Sequence, residues 1–204
     1  MADIRTRKPL RNFSRRLWLD TEATSIENGR ILEIAFAITD GNDEVIYKYD
    51  AVINPFFPEK PNFDSLSTWC RVHHADSGLL EDVVKKGRSK REVEMEVLQI
   101  LGQHAPLQNG MITVFGCNPQ FDMNLLKQEM PSILQFLHHR TVNISSSLFL
   151  LQDALTVVRR QLKFDTTCKH RAMSDVEGAL KMYKQQKEFL RSMYKTLTNG
   201  GTRA

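Results

Sequence analysis

Leu17-Trp18-Leu19-Asp20-Thr21-Glu22 is an apolar run that turns acidic at its end. It reads as a strand whose first half is buried, and strand alternation puts the Asp20 and Glu22 side chains on one face. Working outward, Ile31 to Thr39 forms a second run rich in Ile, Leu and Phe. Asp40-Gly41-Asn42-Asp43 supplies turn residues before a third run, Glu44 to Ile53, so these strands form an antiparallel meander. Pro55, Pro58 and Pro61 then exclude regular structure, and helical character resumes from Ser65 to Val72 around Trp69. Ser89 with Glu92 three residues on is a capping-box signature ahead of Val93, Met95, Val97, Leu98 and Leu101, which recur at helical spacing. Met111 to Cys117 reads as a fourth strand, Phe121 to Met130 as a helix stopped by Pro131, and Arg140 to Ile144 as a fifth strand. Ser147 to Leu162 and Ser174 to Leu197 are amphipathic helices. A meander followed by alternating helices and strands predicts an α/β domain with a mixed five-stranded sheet flanked by helices.

The charge is uneven. The net charge is +4, yet residues 1–16 hold Arg5, Arg7, Lys8, Arg11, Arg15 and Arg16 against Asp3. Residues 181–204 hold Lys181, Lys184, Lys187, Arg191, Lys195 and Arg203 against Glu188, which leaves the body acidic. Such a distribution concentrates cations in the middle and attracts polyanions at the margins, although a solvated helix face and a basic arm account for the two ends equally well. The expected division is a basic N-terminal arm over 1–16, a single domain over 17–197 and a tail over 198–204. No run approaches the roughly 18 apolar residues of a membrane span, which argues against membrane insertion. Cys70, Cys117 and Cys168 form no paired motif and one must be left over, which argues for reduced thiols in a cytosol-like compartment.

Two adjacent carboxylates at the end of a buried strand are either a polar strand end wetted by solvent or a pair that holds a hard divalent cation. Asp122 follows the turn Gly116-Cys117-Asn118-Pro119 and stands in the first turn of a helix, where it could equally be a capping residue. Asp175 stands near the start of the last helix, with His170 five residues before it. Five helical residues would rotate these two apart by about 140°, so they converge only if His170 lies on the loop leading in. Taken together the set is more specific than its members: four carboxylates and one imidazole are the inventory that two-metal phosphodiester hydrolysis needs.

From Leu17 to about Leu190 the sequence resembles the DEDDh exonuclease superfamily, and within it oligoribonuclease. Leu17-Trp18-Leu19-Asp20-Thr21-Glu22-Ala23-Thr24 resembles the first motif, and Arg30-Ile31-Leu32-Glu33-Ile34-Ala35 the second strand. Gly116 stands six residues before Asp122 as in the second motif, and His170-Arg171-Ala172-Met173-Ser174-Asp175 resembles the third. Trp69, with His74 five residues on and then Ser77-Gly78-Leu79, is similar to a segment of oligoribonucleases. The resemblance implies an RNase H-like fold and 3′-to-5′ hydrolysis of short single-stranded RNA to nucleoside 5′-monophosphates, with DNA 3′ ends or longer RNA as the alternative. It implies two divalent cations, Mg²⁺ or Mn²⁺: Asp20, Glu22 and Asp175 would hold one, and Asp20 and Asp122 the other. His170 would deprotonate the attacking water, Trp69 would stack on a terminal base, Ile26 would wedge against its neighbour, and His74 would lie near the scissile phosphate. It also implies a homodimer. His139 stands where the family has a tyrosine that reaches the partner's substrate beside Arg140, Asn143 where it has an aspartate, and Cys117 where it usually has asparagine.

Overall fold

Burial of both faces of the first strand organises the molecule. The computed structural model describes residues 15–104, 111–154 and 169–199. Strand β1 (Arg15–Ala23) sends Leu17 and Leu19 into one core and Trp18 into another. A residue pattern of continuous burial is what a central strand requires. β1 pairs antiparallel with β2 (Ile31–Asp40), which pairs antiparallel with β3 (Val45–Val52). On its other side β1 pairs parallel with β4 (Ile112–Gly116), and β4 parallel with β5 (Leu137–Asn143). The sheet is thus mixed and five-stranded, in the order β3-β2-β1-β4-β5, with the meander first.

Between β3 and β4 lie α1 (Thr68–Asp76), α2 (Leu79–Lys86) and α3 (Lys90–His104). The capping box forms at the start of α3: Glu92 accepts from the Ser89 amide at 3.1 Å, and the Glu92 amide donates to Ser89 Oγ at 3.3 Å. After β4 come α4 (Pro119–Glu129) and a 3₁₀ helix (Pro131–Phe136); α5 (Ile144–Ala154) and α6 (Ala172–Asn199) follow β5. Val93, Val97 and Leu101 of α3 and Leu125 and Leu126 of α4 cover the Leu17/Leu19 face. Val176, Ala179 and Leu180 of α6 cover the opposite face around Trp18, Ala35 and Ala37.

The differences from the sequence reading are local. β1 starts at Arg15, two residues inside the expected arm, because Arg16 is buried, pairs with Asp43 and donates to the Asp40 carbonyl at 3.0 Å. The first helix spans Thr68–Asp76, later than the expected 65–72, since Ser67 Oγ accepts from the Cys70 amide and caps it there. α2 and the 3₁₀ helix were not expected. The fifth strand occupies Leu137–Asn143, and Asn143 Oδ1 then caps α5 by accepting from the Ser145 amide at 3.0 Å, which ends the strand earlier than expected and starts the helix three residues sooner. Residues 155–162 of the helix expected over 147–162, Cys168, residues 1–14 of the arm and residues 200–204 of the tail lie outside the described residues. Among the described residues, no helix is long and apolar enough to cross a membrane.

Candidate active site

The carboxylates gather where β1 leaves the sheet. Asp20 and Glu22 continue the Trp18 face of β1, the face covered by α6, so the first turn of that helix brings Asp175 against them. One oxygen from each of Asp20, Glu22 and Asp175 lies within 4.8 Å of the others. Burial and mutual repulsion hold Asp20 and Glu22 on their protons. The Asp20 carboxyl is raised well above the ordinary range, chiefly by desolvation and then by Asp122, Glu22 and Asp175. Glu22 is raised to about 8, again by desolvation first and then by Asp175 and Glu33. Such a set of oxygens suits a hard divalent cation, which relieves both the desolvation and the repulsion.

Asp122 comes from the other side of the strand. Gly116 permits the end of β4 to lie close against β1, since a Cβ at that position would stand 2.9 Å from the Leu19 carbonyl oxygen. Asn118 then takes a left-handed conformation, φ 58°, and Pro119 opens α4. Asp122 in its first turn is buried, and Thr21 Oγ1 donates to its Oδ1 at 2.6 Å. Burial pushes the carboxyl up to about 7, against the lowering effect of the Thr21 hydroxyl. Asp122 therefore lies within electrostatic reach of Asp20 and outside the tight triplet.

His170 lies on the loop leading into α6, in a left-handed conformation with φ 51°, and so escapes the helical rotation that would have separated it from Asp175. Its ring meets the edges of Trp69 and His73, with centroids 5.0 and 4.9 Å apart. His73 itself stacks on Trp69 at 4.0 Å, four residues on along α1, with Nδ1 2.8 Å from the Trp69 carbonyl. Trp69 is 50% exposed and Ile26 76% exposed, so both present apolar surface to solvent. Ser67 N donates to the Thr24 carbonyl at 3.1 Å, which ties the start of α1 to the segment after β1.

The remaining expected substrate contacts are His74, His139 and Arg140. His74 is 1% exposed, with Nε2 2.9 Å from the Ala23 carbonyl and Nδ1 3.7 Å from Glu22 Oε2. Its ring lies beside Glu22 within the fold and leaves almost no surface exposed, and desolvation lowers its pKa. His139 and Arg140 are exposed on β5, separated from β1 by β4. Thr141, the residue after them, is level with Val114 and through it with Leu17, so the pair lies toward the end of the sheet opposite Glu22. The chain does not bring them to its own cluster.

Sequence reasoning passed over Thr21, His73, Glu33 and Arg171. Glu33 is the antiparallel partner of Glu22 and is 2% exposed, yet in the sequence it is one acid inside a long apolar strand. The available signal was the pairing of two acids in adjacent strands with an arginine beside the predicted base.

The exonuclease family model RNase_T matches residues 17–183. The chain is 30% identical to the oligoribonuclease of Arabidopsis thaliana over 175 residues, covering 84% of this chain and 76% of that protein. It is 28% identical to the mitochondrial oligoribonuclease of Bos taurus over 173 residues, covering 82% and 69%, and 26% identical to the oligoribonuclease of Bordetella pertussis over 183 residues, covering 88% and 97%. Among solved structures, the zinc-bound complex of Escherichia coli ExoI with single-stranded DNA superposes with a TM-score of 0.66 at 13% identity, over 91% of this chain and 43% of that one. The chain thus spans less than half of the ExoI chain, and the likeness is one of fold. With most of its length matched and the motif acids and histidine gathered at one end of β1, the chain belongs to the exonuclease family, as a 3′-to-5′ exonuclease of the DEDDh kind that groups with the oligoribonucleases.

Proposed function

We propose that this exonuclease degrades short single-stranded RNA from the 3′ end to nucleoside 5′-monophosphates with two divalent cations, Mg²⁺ or Mn²⁺. The convergence of Asp20, Glu22 and Asp175 within 4.8 Å, on a face where burial opposes their charge, carries the reading. Those three would hold one cation, and Asp20 with Asp122 the other. Bound there, the cations would lower the pKa of an attacking water and offset charge on the leaving oxygen. An imidazole nitrogen of His170 takes the water's proton. Trp69 receives the terminal base on its exposed side, the other being covered by His73, and Ile26 packs against the neighbouring base.

Short RNA is preferred because the chain covers most of the length of proteins named oligoribonuclease. The second reading is hydrolysis of DNA 3′ ends or longer RNA, favoured by the histidine at position 139 and by a fold shared with a DNA-bound exonuclease. Rates on a dinucleotide, a longer RNA and a DNA of matched sequence separate them: equal rates on long DNA and dinucleotide RNA would discard the short-RNA preference. The exposed position of His139 and Arg140, away from their own cluster, supports a homodimer in which they approach the partner's substrate, and light scattering of the pure protein tests that. A reducing, cytosol-like compartment fits the unpaired Cys70 and Cys117.

A further inference from the structure

Glu33 and Arg171 do no chemistry in the reaction above, yet they form the most heavily bonded ionic group beside it. Arg171 Nε lies 3.2 and 3.3 Å from the two oxygens of Glu33, and Nη2 lies 2.9 Å from Oε1. Nη2 also donates to Asp82 Oδ2 of α2 at 2.7 Å, and Nη1 to the Ser77 carbonyl at 3.5 Å. Glu33 Oε2 accepts in addition from the Ala172 amide at 2.8 Å. That amide is the first of α6 and would otherwise lack an acceptor, and a carboxylate at that end also suits the helix dipole.

The arrangement offsets part of a conflict of charge. Glu33 stands directly across from Glu22 in the β1–β2 register, so both side chains share the face that carries the cluster. Like charges so placed repel. Arg171 engages both Glu33 oxygens and the Ala172 amide engages one, so the carboxylate is tied to the start of α6, and the Arg171 charge offsets part of the repulsion that Glu33 exerts on Glu22. The residue next to Arg171 is His170, whose left-handed backbone is held only if its neighbours are fixed.

We propose that Glu33 and Arg171 are positioning residues that set the pose of His170 over the acidic triplet, with Asp82 as the outer anchor on α2. The proposal rests on the assignment of His170 as the proton acceptor. It does not make either residue a ligand or a substrate contact.

The test compares Arg171→Lys, Asp82→Asn and the unaltered protein, each with and without His170→Ala, on a labelled RNA dinucleotide. Arg171→Lys keeps the charge that Glu33 needs and removes the two-pronged geometry. Misplacement of a reacting group by an ångström costs up to about a hundredfold, so Arg171→Lys should lower kcat roughly tenfold to a hundredfold while KM stays within about threefold. Asp82→Asn should do the same more weakly. In the His170→Ala background neither substitution should change kcat more than about threefold, because the group they position is gone. In metal-free protein the His170 ring resonance, assigned by its loss in His170→Ala, should move toward the position of an unstructured histidine in Arg171→Lys. An equal fall of kcat in both backgrounds, or an unmoved His170 resonance, overturns the proposal. If the unaltered protein cleaves no RNA, the functional assignment fails, and the resonance still decides whether this pair fixes His170.

Discussion

Adding Mg²⁺ to the metal-free protein should drive protons off the carboxylates, and the structure says in which pH range. Glu22 is raised from 4.5 to about 8, and Asp122 to about 7. At about pH 6.5 both therefore retain most of a proton, and a cation that requires their charged forms must displace them. Calorimetric titration in buffers of different ionisation enthalpy should show roughly one to two protons released per protein at that pH, falling toward none above about pH 9. The same linkage acts on stability. A carboxyl whose folded pKa is raised binds more protons in the native state than in the unfolded one, so the slope of unfolding free energy with pH is negative. The metal-free fold is thus most stable below about pH 4.5 as far as Glu22 is concerned, and loses that contribution as pH rises through about 8. At about 1.4 kcal/mol per decade, the separation of 4.5 from about 8 sets a ceiling of about 5 kcal/mol for this one group. Thermal unfolding of metal-free protein should therefore move down between pH 5 and pH 8, and the shift on adding Mg²⁺ should be larger at the upper end. Metal binding without proton release at the lower pH, with an affinity flat across this range, would show that Glu22 and Asp122 are already charged before the metal binds.

Trp69→Ala should raise KM for a dinucleotide with little change in kcat, by an amount matching the roughly 1–3 kcal/mol of a base–aromatic stack; steady-state kinetics measures it. Ser89→Ala removes the cap of α3 and should lower stability by about 1 kcal/mol in urea titration, with kcat unaltered. Deleting the basic residues 1–14 should flatten the salt dependence of RNA binding and leave maximal turnover nearly unchanged, as measured by fluorescence anisotropy at graded ionic strength.

The fold was legible where a residue pattern has one physical solution. Alternation from Leu17 to Glu22 fixes which side chains share a face, and the meander follows from apolar runs joined by turn residues. The capping box at Ser89 and the helix stop at Pro131 are local chemistry, so they too could be read in advance. α2 was not legible, because Leu79 and Val83 acquire their meaning only against Leu32 and Val52 of distant strands. In the site, Asp20, Glu22, Asp122, Asp175 and His170 were marked by motif. The depth of His74 was not, since burial of an imidazole beneath Glu22 depends on how α1 docks. Glu33 was hidden for the converse reason: its neutralising partner is 138 residues away in the chain.

Anomalous diffraction from crystals soaked in MnCl₂ shows whether the four acids hold divalent ions at the end of β1. The expected map has one peak among Asp20, Glu22 and Asp175 and a second beside Asp20 on the Asp122 side, both lost in Asp20→Asn. Crystals that take up manganese elsewhere and leave this cluster bare would show that the four acids are not a metal site.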